Sequence, residues 1–366
     1  MTAQWICRRV TAGSLILLAI ATARAQTATQ SPAALPAPAT QPNPTTQPVS
    51  TSAANSDLTS LSLEDLMNVQ VTSVSKQPQK IADAPAAITV IGPDEIQRSG
   101  LSNIPELLRL VPGMDVERVN ANRWAITSRG LNGTFADDLL VLMDGRSEYT
   151  PVFGGVRWAS VDYPLEDLDR IEAIRGPGAT LWGSNAVNGV VNIETKSARD
   201  TQGVLLDSQL STDESEQTAR YGGQIDPDTF YRVYEKASYT DSGVTPLNDP
   251  AHDEWSSYQS GFRIDRYSTP QDTLTLQGDG YYQNLLDTYT VLSPPEMLND
   301  YQSGGNLEGR WTHTDSVRSS SELQIYYERT DSDEFPAPSY EDTYDVSFQN
   351  RFPLGDRQEM TWGLGA

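Results

Sequence analysis

Hydrophobic and polar residues alternate strictly along the second half of the chain, after about residue 200. Three segments show the two faces: Tyr258, Phe262 and Ile264 oppose Gln259, Arg263 and Asp265; Leu274 and Leu276 oppose Thr275 and Gln277; Leu323 and Ile325 oppose Glu322 and Gln324. We count about nine such segments, rich in tyrosine. This pattern is typical of a membrane β-barrel, because lipid faces one side of each strand and a wet lumen the other. A soluble β-sandwich has the same period and stays an alternative.

Residues 61–200 mix helical and alternating patterns. The spacing predicts short helices near Leu63, over residues 93–97 up to Gly100, and over residues 103–110. It predicts strands over residues 69–74, 87–91, 114–119, 124–128, 139–143, 170–175 and 190–195. Asp144-Gly145 and Asn188-Gly189 predict tight turns. Strands interleaved with short helices indicate a small α+β domain.

The first 25 residues have the pattern of a secretory signal, with Arg8 and Arg9 ahead of an apolar run and a small-x-small motif at residues 23–25. We expect cleavage after Ala25. An uncleaved anchor is disfavoured, because the apolar run is well short of the roughly 20 residues that span a bilayer. Residues 26–60 are rich in Ala, Thr, Ser, Gln and Pro, which predicts an extended linker.

Charge and composition exclude several classes of function. The net charge is −23, and no cluster of Lys and Arg is present to bind nucleic acid. The single cysteine, Cys7, lies in the predicted signal. The two histidines are far apart and no catalytic motif is recognisable, so we predict neither an enzyme nor a metal site or cofactor. Acidic runs such as Asp137-Asp138 and residues 331–334 are interpreted as solvated loops, with a weak Ca²⁺ contact as the less favoured alternative.

Nine sequence blocks between residues 63 and 193 share their order and spacing with one known family. The blocks are LEDLM at 63–67, DAPAAITVI at 83–91, IPELL at 104–108, VPG at 111–113, SRGLNG at 128–133, LVLMDGRS at 140–147, RIEAIRGP at 170–177, LWG at 181–183 and NGVVNI at 188–193. In these blocks residues 61–200 resemble the plug domain of TonB-dependent outer-membrane receptors. The resemblance implies an α+β plug domain followed by an antiparallel transmembrane β-barrel, incomplete in this chain, with residues 201–366 as its first part.

The resemblance also implies function and partners. Such receptors lie in the outer membrane of Gram-negative bacteria, embedded in its lipid. They import scarce nutrients such as ferric siderophores, vitamin B12 or glycans with energy from TonB, ExbB and ExbD. Iron chelates are the commonest ligand of the family, and no residue of this chain selects them over the others.

A segment that TonB can grip must offer unpaired backbone groups to the edge of another sheet. By resemblance this TonB box is the segment Val69, Gln70, Val71, Thr72, Ser73 and Val74. Its position behind a long linker leaves the register open by a few residues. A plug strand that stays permanently paired is the alternative.

Arg129 and Arg175 match two family arginines that resemble a latch to glutamates on the barrel wall. A guanidinium makes bidentate bonds to a carboxylate, which can hold a plug and release it under load. The alternative is that they bind carbonyl groups inside the plug. The partner glutamates of the family lie late in the barrel, so we expect them outside this chain.

The resemblance implies that outward-facing plug loops contact the ligand, and in this chain these loops are residues 120–124 and 149–158. The candidate residues are Asn120, Asn122, Arg123, Trp124, Tyr149, Phe153, Arg157 and Trp158. Aromatic rings beside Asn and Arg suit a polar ligand, through stacking and hydrogen bonds. Ordinary solvated loop chemistry explains the same composition equally well.

Two functions stay open from the sequence. The first is active import of a nutrient, most often a ferric siderophore, and the second is a truncated fragment that only binds ligand or TonB. About nine strands cannot close a barrel of the family's 22 strands, and an open edge in lipid leaves backbone groups unpaired. We therefore expect this chain to be part of a longer protein.

Overall fold

The computed structural model describes residues 70–71, 79–80, 86–130, 132–135, 138–176, 178, 182–183, 185–289, 296–335, 338–355 and 358–366. The predicted signal, the linker and the helix near Leu63 lie outside the described residues. Of the predicted strand at residues 69–74, only Gln70 and Val71 are described.

The first part of the chain forms short strands and helices, as the mixed pattern predicts. The strands are β1 Gln70–Val71, β2 Gln79–Lys80, β3 Ala87–Ile91, β4 Met114–Arg118, β5 Trp124–Ser128, β6 Leu139–Met143, β7 Arg146–Ser147, β8 Tyr149–Thr150, β9 Gly155–Val156, β10 Leu168–Arg175 and β11 Gly189–Thr195. The helices are α1 Pro93–Ser99 and α2 Ile104–Leu107, with single 3-10 turns at Leu108–Leu110, Trp158–Ser160 and Leu165–Asp167.

Five of these strands form one mixed sheet in the order β3-β10-β11-β6-β7. β11 pairs in parallel with β6, whereas the other neighbours are antiparallel. β6 and β11 are buried on both faces, which explains their nearly continuous apolar sequence. On one face Ile91, Ile171 and Ile193 pack with Leu107 of α2, and on the other Leu140, Ile174 and Val190 form a smaller cluster. We call this α+β domain the plug domain, after the resemblance described above.

The predicted helix over residues 103–110 begins where the sequence places it, but it is α2 followed by a 3-10 turn. Asn103 caps α2, because its side-chain oxygen accepts a hydrogen bond from the backbone N–H of Glu106 at 3.0 Å. α1 ends at Gly100, whose φ of +68° is a left-handed conformation that glycine adopts without strain.

Replacing Asn103 with alanine should lower the free energy of unfolding of the plug domain by about 1 kcal/mol, because the Glu106 N–H loses its partner. Urea unfolding followed by tryptophan fluorescence measures this loss. Asn103→Asp keeps an acceptor at the same position and should lose less than half as much. An equal loss in both variants would contradict the capping role.

One of the two predicted turns is confirmed and the other is wrong. Asp144 and Gly145 both have positive φ, 49° and 85°, and join β6 to β7. Gly189 instead begins β11, paired with Arg175 on one side and Leu139 on the other. A Cβ at this position would lie 2.6 Å from the carbonyl oxygen of Ile174. The glycine therefore serves a close approach between strands, which has the same sequence signature as a turn.

The second part of the chain forms one antiparallel sheet of nine strands in sequence order. The strands are β12 Gly203–Leu210, β13 Glu214–Asp226, β14 Thr229–Thr240, β15 Trp255–Tyr267, β16 Asp272–Tyr289, β17 Glu296–Ser316, β18 Ser319–Ser332, β19 Ser339–Leu354 and β20 Gln358–Gly365. Among the described strands the sheet does not close, since β12 and β20 lie at its two edges. We call this sheet the wall.

The two faces of the wall are divided as the alternation predicts. Tyr258, Leu276 and Ile325 are exposed on the outer face, whereas Gln259, Asp265 and Gln324 are buried on the inner face. A soluble sandwich would bury the apolar face instead, so that alternative is wrong. Among the described residues, no helix has the length and apolar character needed to cross a bilayer.

The two ends of the wall differ in the length of their connections. At one end the strands are joined by two to four residues, whereas at the other end residues 241–254 form a long connection between β14 and β15. We call these the turn end and the loop end. Membrane barrels of this kind have short periplasmic turns and longer extracellular loops, which indicates the orientation of the wall.

Candidate functional site

The loop between β4 and β5 lies against the loop end of the wall. Asn120 Nδ2 donates to Asp287 Oδ1 at 2.9 Å, and the backbone N–H of Ala121 donates to Asp253 Oδ2 at 2.7 Å. Inside the loop, the N–H of Val119 donates to the carbonyl of Arg123 at 2.9 Å. These bonds hold the tip of the β4–β5 hairpin at the outward end of the plug domain.

The hairpin of β8 and β9 brings a second set of predicted residues to the same place. Gly154, with φ of +71°, closes its turn. The two loops line a recess, and its lining includes six of the eight residues that the sequence singles out: Asn122, Arg123, Trp124, Phe153, Arg157 and Trp158. Asn120 lies beside it through its bond to Asp287, whereas Tyr149 pairs with Val156 in the hairpin and does not line it. The recess holds a cavity of about 30 Å³.

Glu334, in the connection between β18 and β19, reaches into this recess from the wall. Its carboxylate accepts short hydrogen bonds from Arg123 and Arg157, and one from Gln302 Nε2 at 3.3 Å. Arg123 also forms an ion pair with Asp287, with Nη2 2.8 Å from Oδ2. The interpretation of residues 331–334 as a solvated loop is thus wrong for Glu334. No local pattern could have shown it, because its partners are far away in the sequence.

The latch candidates have different surroundings. Arg175 Nη1 donates to the carbonyl of Pro112 at 2.5 Å, which matches the alternative of an arginine that binds a plug carbonyl. Arg129 is exposed, with φ of +60°. Within the described part of the chain, neither side chain forms an ion pair with the wall. Their latch role therefore stays a prediction.

Other residues of the plug domain make the contacts with the described wall. Asp144, buried in the β6–β7 turn, accepts bonds from Thr195 N at 2.9 Å and from Gln277 Nε2 at 3.0 Å. Its carbonyl accepts bonds from Arg310 and Gln324. Burial alone would raise the pKa of the Asp144 carboxyl, but the arginines and the bonds from Thr195 outweigh it and lower that pKa. Asp144 is a charged anchor between plug and wall.

A second buried contact centres on Arg146. Its guanidinium lies 2.7 Å from Glu148 Oε1 and 2.9 Å from Oε1 of Glu328 on the wall. Tyr163 completes the group by donating to Asp279 of the wall. Burial raises the pKa of Glu148 to about 8, against the opposing effect of Arg146, and the nearby Glu328 adds to the rise. One arginine therefore faces more carboxylates than it can neutralise.

The predicted TonB box is described at two positions. Gln70 and Val71 pair antiparallel with Lys80 and Gln79, and Val71 is fully buried. The other four residues of that segment lie outside the described residues. A paired strand matches the alternative of the sequence analysis at these two positions, and the TonB box stays a prediction.

Metal binding has no support in the described ranges. Within them, no group of three or more His, Cys, Asp or Glu side chains is placed to hold an ion.

Comparison with known proteins points to one family. A family model, the TonB-dependent Receptor Plug Domain, matches residues 80–190. The vitamin B12 transporter BtuB of Vibrio cholerae serotype O1 is 33% identical over 142 residues, which cover 39% of this chain and 23% of the transporter. BtuB of Vibrio vulnificus is 29% identical over 143 residues, with the same coverage of 39% and 23%.

Solved structures show the same fold. The ferric enterobactin receptor PfeA from Pseudomonas aeruginosa, a Q482A mutant with enterobactin, has a TM-score of 0.57 and 20% identity, covering 76% of this chain and 48% of the receptor. The siderophore receptor PirA from Acinetobacter baumannii has a TM-score of 0.58 and 19% identity, covering 76% of this chain and 47% of that one.

This chain spans about half the length of these structures, and its match covers about a quarter of the curated relatives. The plug match, its order before an antiparallel sheet and the shared fold agree with one another. Residues 80–190 of this chain are therefore a plug domain of the TonB-dependent receptor family, and the antiparallel strands that follow share the fold of the solved siderophore receptors.

Proposed function

We propose that this chain is part of an outer-membrane transporter that imports a ferric siderophore, with energy from TonB, ExbB and ExbD. The observation that carries the proposal is the recess at the loop end. Two plug loops present Phe153 beside the guanidinium groups of Arg123 and Arg157, and the largely buried rings of Trp124 and Trp158 also line the recess. Aromatic faces and charged donors around one concave surface suit a chelate that is both ringed and charged. PfeA and PirA, whose fold this chain shares, are siderophore receptors.

Vitamin B12 is the second candidate substrate. The observation in its favour is the similarity of the plug domain to two vitamin B12 transporters. That similarity covers the plug scaffold, which is shared across substrates, whereas the recess residues would contact the ligand. We therefore place the ferric siderophore first.

Export and energy coupling belong to the same proposal. Residues 1–25 act as a signal peptide cleaved near Ala25, and residues 26–60 link the mature N-terminus to the plug domain. Residues 69–74 add as a strand to TonB, which requires β1 to separate from β2. Arg129 and Arg175 serve as the latch to parts of the barrel beyond the described wall.

The test is uptake by the protein expressed from its complete reading frame in a Gram-negative host that lacks its own siderophore and vitamin B12 receptors. We expect uptake of radiolabelled iron supplied as a ferric siderophore, and its loss when the host lacks TonB. Uptake of vitamin B12 without iron would assign the second substrate. Binding of the chelate without uptake would favour the alternative of a protein that only binds.

Val71→Pro tests the TonB box, because proline removes the N–H that strand addition needs. We expect lower uptake of the ferric siderophore with unchanged binding to whole cells. Val317→Pro, at a 90% exposed position in the turn between β17 and β18, is the control for a proline substitution as such. Normal uptake by the Val71 variant would exclude this register of the TonB box.

A further inference from the structure

Both oxygens of the Glu334 carboxylate are occupied by donors across the loop-end recess. Arg123 donates to Oε1, and Arg157 and Gln302 donate to Oε2. Two of the three donors are charged, and the two guanidinium groups approach from different plug loops. An oxyanion of a ligand would require the same donors in the same places. The recess is therefore a built anion site with a carboxylate of the protein in it.

The charge of this site depends on Glu334. Arg123 and Arg157 are balanced by Glu334 and Asp287 when all four are in contact. The side chains of Arg157 and Asp287 are 8% and 9% exposed, and that of Glu334 is 13% exposed. Asp253 and Asp300 are also buried close to Asp287, so the carboxylates of this region outnumber its two arginines. Departure of Glu334 therefore frees charged donors that a ligand oxyanion can take over in its place.

Glu334 can leave without breaking the wall. The ladder between β18 and β19 ends at the pair Ser332 and Ser339, before Glu334. Asp333 is tied to β17, since its N–H donates to the Tyr301 carbonyl at 3.1 Å and its Oδ1 accepts from Tyr301 N at 2.6 Å. The backbone N–H of Glu334 makes only a local 3.4 Å bond to Ser332. The carboxylate is thus held by the anion site rather than by the strand.

An aromatic pair lies next to the anion site. The guanidinium of Arg157 lies 4.6 Å from the centre of the Phe153 ring. Phe135 packs against Phe153 with ring centres 5.1 Å apart, and Phe135 is 68% exposed. An exposed aromatic ring beside a charged recess can stack on a ring of the ligand. Phe135 is not among the ligand-contact residues that the sequence predicts.

We propose that Glu334 occupies the site of an aryl oxyanion, and that the ligand displaces it. The ligand class is an iron chelate whose oxygens belong to aromatic rings and which carries negative charge. Its oxyanion takes the donors of Arg123 and Arg157, and its ring packs on Phe135. This inference rests on the proposed function and narrows its substrate class.

The test measures binding of two probes to the complete protein in detergent by calorimetry. One probe is ferric enterobactin, an anionic aryl chelate, and the other is a neutral ferric hydroxamate chelate. Glu334→Gln should bind ferric enterobactin about tenfold more tightly, because the competing carboxylate is gone. Arg157→Gln should bind it about tenfold more weakly, and neither variant should change binding of the neutral probe by more than about twofold.

Glu341→Gln is the matched control. Glu341 is also a carboxylate at the loop end of the wall, but it accepts the backbone N–H of Val152 at 2.8 Å. The Glu341→Gln substitution removes the same charge from the same region, and it should leave the affinity for ferric enterobactin unchanged. A gain of affinity in Glu334→Gln cannot arise from misfolding, which keeps the test decisive.

Unchanged or weaker binding of ferric enterobactin by Glu334→Gln would overturn the inference, as would an equal gain for the neutral probe. These results are separable from failure of the proposed function. If the affinities change as expected but no TonB-dependent uptake occurs, the anion site is supported and the proposed transport is contradicted. If iron is taken up but Glu334→Gln binds ferric enterobactin as the wild type does, the transport is supported and the anion site is contradicted.

Discussion

Replacing Asp144 with alanine should lower the free energy of unfolding of the plug domain within the wall by about 3–5 kcal/mol. The side chain is buried and accepts two hydrogen bonds from Thr195 and one from Gln277. Its removal leaves the guanidinium of Arg263, 3.9 Å away, without that charge. Alanine also strains the turn, because position 144 has a φ of +49° that aspartate and asparagine tolerate better.

Urea unfolding of the protein in detergent, followed by the fluorescence of the plug tryptophans, measures this loss. Asp144→Asn keeps the turn and some hydrogen bonds, so it should lose roughly half as much. Asp115→Ala, on an exposed strand position, is the control and should change the free energy by at most about 0.5 kcal/mol. Equal losses for positions 144 and 115 would contradict the role of Asp144 as an anchor.

The stabilisation that Asp144 provides also depends on pH. The pKa of Asp144 is lowered in the folded state from its ordinary value of 3.8. A carboxyl with a lowered folded pKa stabilises the protein above its unfolded pKa, and this stabilisation is lost as the pH falls below about 4. The difference between the wild type and Asp144→Asn should accordingly shrink in acid.

Replacing Arg146 with methionine should cost about 3–5 kcal/mol at pH 9 and clearly less at pH 5. Arg146 and Glu148 have side chains only 4% and 8% exposed, and the wall contributes Glu328 to the same contact. Without the arginine, two carboxylates face each other in a buried place. At low pH one of them takes up a proton, which relieves the repulsion.

The stability of the wild type should also fall as the pH rises. Burial raises the folded pKa of Glu148 from 4.5 to about 8. A raised folded pKa gives stability that is complete below the unfolded pKa and is lost as the pH rises toward 8. The loss is at most about 1.4 kcal/mol per pH unit for one group. Glu148→Gln should make this slope smaller.

Unfolding in urea at pH 5 and pH 9 provides the measurement for both variants. Arg109→Met is the control, because Arg109 is 41% exposed in its pair with Glu106 and should cost no more than about 0.5 kcal/mol. A wild type that becomes more stable from pH 5 to pH 9, or an Arg146→Met loss that is the same at both, would show that this cluster is not the titrating contact.

Several elements could be predicted from the sequence because their signals are local. β3, β5 and β6 have the predicted bounds, since their apolar runs are short and end at turn residues. The wall strands are predictable for the same reason, because each residue's face follows from its parity along the strand. Gly189 shows the limit of such signals, since its role depends on the carbonyl of Ile174, a residue of the neighbouring strand.

The sequence marks the plug residues that line the recess, but it does not mark the wall residues that face them. The plug loops 120–124 and 149–158 carry an aromatic and arginine composition that can be recognised in isolation. Glu334 lies 177 residues from Arg157, and Gln324 lies 180 residues from Asp144. An acidic residue in a loop has the same local sequence whether it is solvated or paired with two arginines.

The sequence by itself determined the mixed pattern of the plug domain ahead of the wall, the period of the wall strands and which of their faces is apolar. These properties depend on neighbouring residues and on backbone geometry. Only the tertiary structure decided which charges meet, with Arg123 and Arg157 on Glu334, Arg146 on Glu328 and Asp144 beside Arg310. The reason is that ion pairing between plug and wall depends on how their two surfaces pack against each other. No local pattern along the chain encodes that packing.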